Sequence, residues 1–159
     1  MRILGIDPGY AIIGFGIVDY QGMDFKPVEY GSILTEAEMP FEERLKQIYE
    51  DMNFLLNRYT PQVMAIEQLY FNTNKTTGIK VAEARGVLLL TCAQHGIPVC
   101  EYTPLQVKSA VVGYGKAEKH QVMEMTRRIL HLAEVPRPDD TADALALAIC
   151  HGHCAPPDY

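Results

Sequence analysis

The chain has 159 residues and a formal net charge of −6 at pH 7. Hydrophobic residues make up 48% of it and charged residues 21%, which excludes a disordered or fibrous protein. No apolar run approaches the roughly 20 residues that span a bilayer, and the N-terminus lacks the features of a signal peptide. We therefore expect a cytoplasmic protein without a membrane partner, and the spacing of the four cysteines does not resemble a secreted disulfide framework.

The distribution of charge bears on the possible partners more than the net charge does. A negative net charge counts against nucleic acid, because lysine and arginine neutralise phosphates. Positive residues nevertheless gather in residues 75–85, in residues 108–119 and at Arg127 and Arg128, while much of the acid lies in residues 36–51. A nucleic-acid partner therefore stays open.

The N-terminal half of the chain predicts three strands and a helix. Residues 2–7 and 12–20 are apolar runs joined by a Pro-Gly turn, the pattern of an antiparallel hairpin. A third strand is predicted at 25–34. Apolar residues at spacings of three and four then predict an amphipathic helix over 41–58.

The C-terminal half predicts two further strands among helices. The elements are, in chain order, a strand at 62–67, a helix at about 77–95, a strand at 97–102, a helix starting near Pro104, a helix after the loop at 113–119, and a final helix at about 140–152. This order predicts an α/β protein, a mixed five-stranded sheet flanked by helices. We expect one domain over residues 1–153 and a short loose tail at 154–159.

Acidic residues end two of the predicted strands and begin the last helix. Asp7 and Glu67 end strands, and Asp139, Asp140 and Asp143 lie at the helix start, where the last two share one face. Each acid has an ordinary explanation, since Asp139 fits a helix N-cap and a strand-end acid can be exposed in a loop. If the two strands are neighbours, however, four carboxylates come together and raise each other's pKa.

Such a group of carboxylates predicts a site for hard divalent cations. Mg²⁺ takes oxygen ligands and keeps some of its own water. Two such ions about 4 Å apart stabilise both the attacking and the leaving oxygen of a phosphodiester displacement. The pattern therefore predicts phosphodiester hydrolysis without a protein nucleophile.

Four blocks of sequence extend the argument beyond the acids. They are GIDPGYAIIGFGIVD, IEQLYFNTNKTTGIKVAEARGV, EYTPLQVKSAVVGYGKAEKHQV and RPDDTADALALAICH, and they span about residues 1–153. In this order they resemble the RuvC-type Holliday junction resolvases. The resemblance implies that residues 1–153 form a single RNase H-like nuclease domain.

The resemblance also implies an activity and partners. The activity is paired, symmetric nicking of a four-way DNA junction in recombination and repair, leaving 5′-phosphate and 3′-hydroxyl ends. The implied cofactor is Mg²⁺, two ions per site, with Mn²⁺ able to substitute. The implied partners are a second copy of the chain in a homodimer and the RuvA–RuvB branch-migration complex.

The resemblance assigns roles to individual positions. The catalytic and metal-binding acids fall on Asp7, Glu67, Asp140 and Asp143. The aromatic that acts at the junction centre falls on Tyr70, with Phe71 beside it. The basic residues that serve DNA phosphates and cleavage fall on Lys108 and Lys119. Further candidate DNA contacts, chosen for their charge, are Lys75, Lys80 and Arg85.

Two other features have both a structural and a functional interpretation. One side of the long helix carries Ile79, Ala82, Gly86 and Ala93, which predicts close packing in the core or at a subunit interface. A two-fold dimer suits a junction with two equivalent strands to cut. The CHGHC run at 150–154 is too cramped for the usual structural zinc site, which favours a helix terminus.

Three alternative functions stay open at this point. Actin-like sugar kinases and chaperones hold ATP phosphates on a similar GID-x-G hairpin, although they need a far longer chain. A non-catalytic junction-binding protein would keep the fold, although the presence of all four acids argues against it. Another RNase H-like nuclease is disfavoured by the EQLYFNTN and VKSAVVGYGKAEK blocks.

Overall fold

The computed structural model describes residues 1–70 and 75–156. The elements are, in chain order, β1 (Arg2–Asp7), β2 (Ile12–Gln21), β3 (Asp24–Leu34), α1 (Phe41–Tyr59), β4 (Val63–Glu67), α2 (Lys75–Gln94), β5 (Val99–Tyr102), α3 (Pro104–Val112), α4 (Lys119–Ile129) and α5 (Asp139–Cys154). Within these residues, no helix is both long and apolar enough to cross a membrane.

The five strands form one mixed sheet in the order β3-β2-β1-β4-β5. Strands β1, β2 and β3 pair antiparallel as a meander. Strand β4 pairs parallel to β1, and β5 pairs parallel to β4. The structure therefore confirms the predicted mixed five-stranded sheet, and it places β1 and β4 side by side at its centre.

The sheet has an apolar core on each face. Alternate residues of β1 point to opposite sides, so that Ile3 joins the core formed with α3, α4 and α5, while Leu4 joins the core formed with α1 and α2. Helix α5 is buried continuously from Thr141 to Gly152 except at Asp143. It is thus a central helix, and most of its surface is covered by the sheet and by its neighbouring helices.

Helix α5 lies directly against the sheet because the strands beneath it carry glycines. We call Gly5, Gly14 and Gly16 the glycine groove. A Cβ atom added at Gly5 would overlap the backbone carbonyl of Ala144, and one added at Gly14 would overlap that of Asp140. At Gly16 the added atom would lie 2.6 Å from Cδ2 of Leu145. The groove therefore sets the height and position of α5 on β1 and β2.

Three elements have an end that lies two residues from the predicted one, and the other ends agree more closely. Helix α2 begins at Lys75, strand β5 begins at Val99, and helix α5 extends through Cys154, where the tail was expected to begin. The N-cap interpretation of Asp139 is wrong. Pro138 is the N-cap residue, and no side chain caps the helix.

The outward side of α2 bears on the two interpretations of its small residues. Ile79 is 55% exposed and Leu90 is 54% exposed. A Cβ added at Gly86 would have no atom within 4 Å. Core packing therefore does not explain the small residues on this side of α2.

The glycine groove generates a prediction about stability. We expect Gly14→Ala to lower the free energy of unfolding by about 1–3 kcal/mol, because the added methyl group forces α5 away from β2. Urea unfolding followed by circular dichroism measures this change. The matched control is Gly31→Ala on β3, where the added atom would lie 3.3 Å from the Phe15 ring. An equal effect of both variants would contradict the account.

Candidate active site

Two carboxylates reach the same edge of the sheet from neighbouring strands. Strands β1 and β4 are parallel, and Ile6 lies opposite Ile66 in the register. Asp7 and Glu67 are the next residues of their strands, and each is the last residue of its strand. The parallel pairing therefore brings the two strand-end acids together, as the sequence argument required.

The first two turns of α5 bring the other two acids to the same place. Asp7 pairs with Gly14 across the β1–β2 ladder, and Gly14 packs against the backbone of Asp140. The hydroxyl of Thr141 donates a hydrogen bond to the Gly31 carbonyl at 3.0 Å, which fixes this turn to β3 as well. Asp140 and Asp143 therefore face the end of β1 because of backbone packing rather than side-chain pairing.

The electrostatics of Asp7 show how close the four acids are. Burial is the largest cause that raises the pKa of Asp7, and neighbouring carboxylates raise it further, to about 8. The neighbours are, in order of effect, Asp143, Glu67 and Asp140, and a side-chain hydrogen bond with Asp140 adds to the shift. Asp7 therefore favours its neutral form unless a cation compensates the negative charge around it.

Burial also raises the pKa of the other two interior acids. For Glu67 the charge of Asp143 adds to the effect of burial, and the charge of Lys119 opposes it. For Asp143 the main opposing group is again Lys119, whose ammonium stabilises the carboxylate form. The site therefore concentrates more negative charge than this lysine balances.

Lys119 at the start of α4 is the positive group that faces the acids. Its Nζ lies 3.4 Å from Oδ2 of Asp143 and 3.9 Å from Oδ2 of Asp139. Burial lowers the pKa of Lys119, but the charges of Asp143, Asp139 and Asp7 outweigh this and raise it overall. The side chain is 60% exposed, so it can also reach solvent or a ligand.

A cavity of about 560 Å³ opens beside these groups. Glu67, Asp143, Lys108 and Lys119 line it together. The structure thus brings two of the predicted catalytic acids and two predicted phosphate-binding lysines to one opening.

The carboxylate group fits a divalent metal in ligand type and charge. All four side chains offer oxygen, the ligand that Mg²⁺ prefers, and the raised pKa of Asp7 reflects burial first and then the negative charge of the neighbouring carboxylates. Among residues 1–70 and 75–156, no three His, Cys, Asp or Glu side chains already stand close enough together to form a metal-binding group.

Of the predicted DNA contacts outside the cavity, two flank residues 71–74, which lie outside the described part of the chain. Tyr70 follows β4 and is 55% exposed, with its hydroxyl 3.2 Å from Oε1 of Gln68. Lys75 is exposed at the first residue of α2. Phe71 lies outside the described residues.

The remaining two predicted contacts make interactions within the chain. The Nζ of Lys80 lies over the rings of Tyr10 and Phe41, at 5.8 and 5.6 Å from their centroids. The guanidinium of Arg85 forms a 2.6 Å ion pair with Glu101 on β5, and the Arg85 side chain is only 11% exposed. Arg85 therefore connects α2 to β5, the outermost strand on this side of the sheet.

Arg44 of α1 was not among the residues predicted from the sequence to belong to the site. It is 7% exposed, its Nε donates to the Thr35 hydroxyl at 2.9 Å, and its guanidinium lies 4.9 Å from the centroid of Tyr10. Tyr10 comes three residues after Asp7, in the turn between β1 and β2. Arg44 therefore stabilises the turn that follows Asp7. The only sequence signal was a charged residue on the apolar side of a predicted amphipathic helix.

The histidines and cysteines near the C-terminus belong to the last turns of α5. The ring Nδ1 of His151 lies 2.7 Å from the Tyr102 hydroxyl, and that of His153 lies 2.8 Å from the Ala110 carbonyl oxygen. The contacts of His151 and His153 hold α5 against β5 and α3.

Two acids end the central strands β1 and β4 of the sheet, and two further acids lie at the start of α5. This arrangement defines a class of nuclease built on the RNase H-like fold. A family model described as "Crossover junction endodeoxyribonuclease RuvC" matches residues 3–151. The chain belongs to this family.

Individual relatives agree with the family match. The crossover junction endodeoxyribonuclease RuvC of Brevibacillus brevis is 59% identical over 151 residues, which cover 95% of this chain and 91% of that protein. The structure of Thermus thermophilus RuvC superposes with a TM-score of 0.90 at 36% identity, covering 96% of this chain and 94% of that one. The same protein in complex with a Holliday junction substrate gives a TM-score of 0.89 at 34% identity, with the same coverage.

The raised pKa of Asp7 predicts how stability depends on pH without metal. The folded state holds the Asp7 proton up to about pH 8, whereas the unfolded chain releases it near 3.8. This contribution to stability is present at low pH and is lost as the pH rises through about 8. In EDTA, we expect Asp7→Asn to be more stable than the parent by about 1–2 kcal/mol above that pH.

Thermal unfolding between about pH 5 and pH 9 measures this dependence. Asp139→Asn is the matched control, because it removes a neighbouring acid outside the buried group. It should follow the parent curve. Parallel curves for Asp7→Asn and the parent would show that Asp7 is an ordinary surface carboxylate.

Proposed function

We propose that this chain is a divalent-metal-dependent endonuclease that resolves four-way DNA junctions by paired, symmetric nicks. The observation that carries the proposal is the convergence of four carboxylates from β1, β4 and α5 in a chain of the RuvC family. The complex of Thermus thermophilus RuvC with a Holliday junction substrate supports the choice of DNA structure. The setting we propose is homologous recombination and repair in the cytoplasm.

The chemistry follows from the charge of the site. Bound Mg²⁺ ions, or Mn²⁺ in their place, would supply positive charge and an activated water. The residues that would hold two ions are Asp7, Glu67, Asp140 and Asp143. In-line attack of water on the scissile phosphate leaves a 5′-phosphate and a 3′-hydroxyl. No described side chain has to form a covalent intermediate.

The lysines of the cavity suit the approach of a DNA strand. Lys108 lies on α3 and Lys119 begins α4, so the two reach the carboxylates from separate helices. A DNA phosphate would replace Asp143 as the negatively charged partner of the Lys119 ammonium. Asp143 would then be free to bind metal. Lys119 thus couples the arrival of the substrate to the completion of the site.

Tyr70 and Lys75, on either side of residues 71–74, suit the junction centre. The exposed ring of Tyr70 follows Glu67 by three residues, so we expect it to lie close to the scissile phosphate. Stacking of an aromatic side chain on an unpaired base contributes about 1–3 kcal/mol. We propose that Tyr70, with Phe71, stabilises unpaired bases there, while Lys75 and Lys80 contact phosphates. Arg85 stays a weaker candidate because Glu101 pairs with it.

The outward side of α2 suits a homodimer interface. We call Ile79, Gly86 and Leu90 the α2 face. Its two large side chains are more than half exposed, and the glycine between them leaves room for close approach of a second helix. A two-fold axis relates two active sites in the same way as it relates the two equivalent strands of a junction. The RuvA–RuvB complex is the partner we propose for the assembled dimer.

Two alternatives are weaker for specific reasons. A non-catalytic junction-binding protein would not need three half-buried carboxylates, which cost stability through their desolvation and repulsion. An RNase H-like nuclease for RNA–DNA hybrids would share the acids, but the family match over residues 3–151 favours junction DNA.

Asp139 and Asp140 are adjacent in α5, and only Asp140 is proposed to be catalytic. Variants of the two residues therefore test which carboxylates belong to the catalytic group. We expect Asp140→Asn to lower the rate of junction cleavage in Mg²⁺ by at least about a hundredfold, because it removes charge at the reacting centre. Asp139→Asn should keep the rate within about threefold, since its carboxylate is exposed and outside the group. Single-turnover cleavage of a synthetic four-way junction measures both rates.

Junction binding is measured in Ca²⁺ to separate affinity from chemistry. Asp140→Asn should bind the junction as the parent does. Equal cleavage by both variants would remove Asp140 from the site. Equal cleavage of junction and linear duplex by the parent would overturn the resolvase function.

The α2 face generates a prediction about assembly. We expect Leu90→Glu to convert a dimer into a monomer, because it places a charge in an apolar interface. Phe54→Glu on α1 is the matched control, since Phe54 is 65% exposed and lies on another helix. Sedimentation velocity measures the mass of each variant. A monomeric parent, or a dimeric Leu90→Glu variant, would exclude this interface.

A further inference from the structure

The cavity beside the acids has an apolar interior that phosphodiester hydrolysis does not explain. Its mouth is formed by carboxylates and lysines, but much of its wall comes from aliphatic side chains of α3, α4 and α5. These are Val107, Val122, Ala146 and Leu147. A backbone phosphate and hydrated metal ions need polar surroundings, so they account for the mouth alone.

The volume and lining of the cavity suit a partly apolar group of the size of a small organic ligand. The volume of about 560 Å³ is within the range of pockets that bind small organic ligands. Such pockets combine an apolar wall with a few polar groups at defined places. Here Glu118, on the rim, offers a hydrogen-bond acceptor. A nucleobase has this combination of apolar faces and a polar edge.

The charged side chains at the mouth of the cavity would hold a DNA strand next to its apolar interior. Glu67 and Asp143 belong to both the catalytic group and the cavity wall, so the scissile phosphate and the cavity are contiguous. Lys108 and Lys119 stand on two different helices at the same opening. Two cations at one mouth can hold successive phosphates of a strand whose intervening nucleotide has turned inward.

We infer that the cavity receives a nucleobase adjacent to the scissile phosphate, and that its fit in the cavity makes cleavage selective for DNA sequence. This inference rests on the proposed function. Removing a base from the stack is least costly where stacking and pairing are already disturbed. The centre of a four-way junction meets that condition, whereas linear duplex does not. The same cavity therefore couples sequence selection to junction structure.

The first arm of the test fills the cavity from α3. Val107 lines the interior and is only partly buried, so Val107→Phe occupies space with little disturbance of the core. We expect it to lower kcat on a preferred junction by at least about tenfold and to flatten the differences between sequences. Affinity for the junction should change by less than about threefold, because phosphate contacts dominate binding.

The matched control adds the same ring elsewhere on the same helix. Ser109 is exposed on α3 and does not line the cavity. Ser109→Phe should cleave with the parent rate and the parent sequence preference. Loss of selectivity in both variants would assign the effect to a general disturbance of α3 and overturn the inference.

The second arm observes the base directly. 2-Aminopurine is placed on either side of the scissile phosphate, and the Asp7→Asn variant prevents cleavage. Stacking quenches this fluorophore, so we expect its emission to rise at one of the two positions when the protein binds. Adding Val107→Phe to Asp7→Asn should abolish the rise while fluorescence anisotropy still reports binding. Unchanged emission at both positions would overturn the inference.

The third arm needs no change to the cavity, so it decides the question even if Val107→Phe fails to fold. An abasic site replaces the nucleotide beside the scissile phosphate, and an abasic site far out on one arm is the control. The parent should lose at least about tenfold in rate with the first and nothing with the second. Equal rates would show that no base is held. A parent that fails to cleave any junction would instead overturn the proposed function.

Discussion

The contact on which the site depends is that of the α5 backbone with the glycine groove of β1 and β2. Because Gly5 and Gly14 lack side chains, the first turns of α5 lie against the strands rather than a side-chain layer above them. This places Asp140 beside the partner of Asp7 in the β1–β2 ladder. The position of α5 is therefore set mainly by backbone packing, and the hydrogen bond from the Thr141 hydroxyl to the Gly31 carbonyl adds to it.

The fold holds together charges that repel one another. Burial and neighbouring carboxylates raise the pKa of Asp7, and burial raises the pKa of Glu67 and Asp143 as well. Lys119 compensates part of this charge from α4. Packing in the two apolar cores stabilises the fold against this repulsion. A divalent metal bound together with a DNA phosphate would neutralise the charge that remains. Such tension between stability and activity is common at catalytic sites.

Much of this architecture could be predicted from sequence because it depends on local patterns. The strand-end positions of Asp7 and Glu67 follow from apolar runs that stop at an acid. The sequence did not reveal the glycine groove, since a glycine in a strand does not say which helix approaches it. The cap expected at Asp139 was wrong because the helix begins one residue earlier, after Pro138.

The most direct test of the account is a crystal structure of the parent protein grown with Mn²⁺, with anomalous scattering used to locate the metal. We predict anomalous peaks enclosed by Asp7, Glu67, Asp140 and Asp143, with Lys119 displaced from Asp143. Mn²⁺ bound elsewhere, with Lys119 still paired to Asp143 and the four carboxylates apart, would contradict the claim that α5 and the sheet edge build one metal-dependent site.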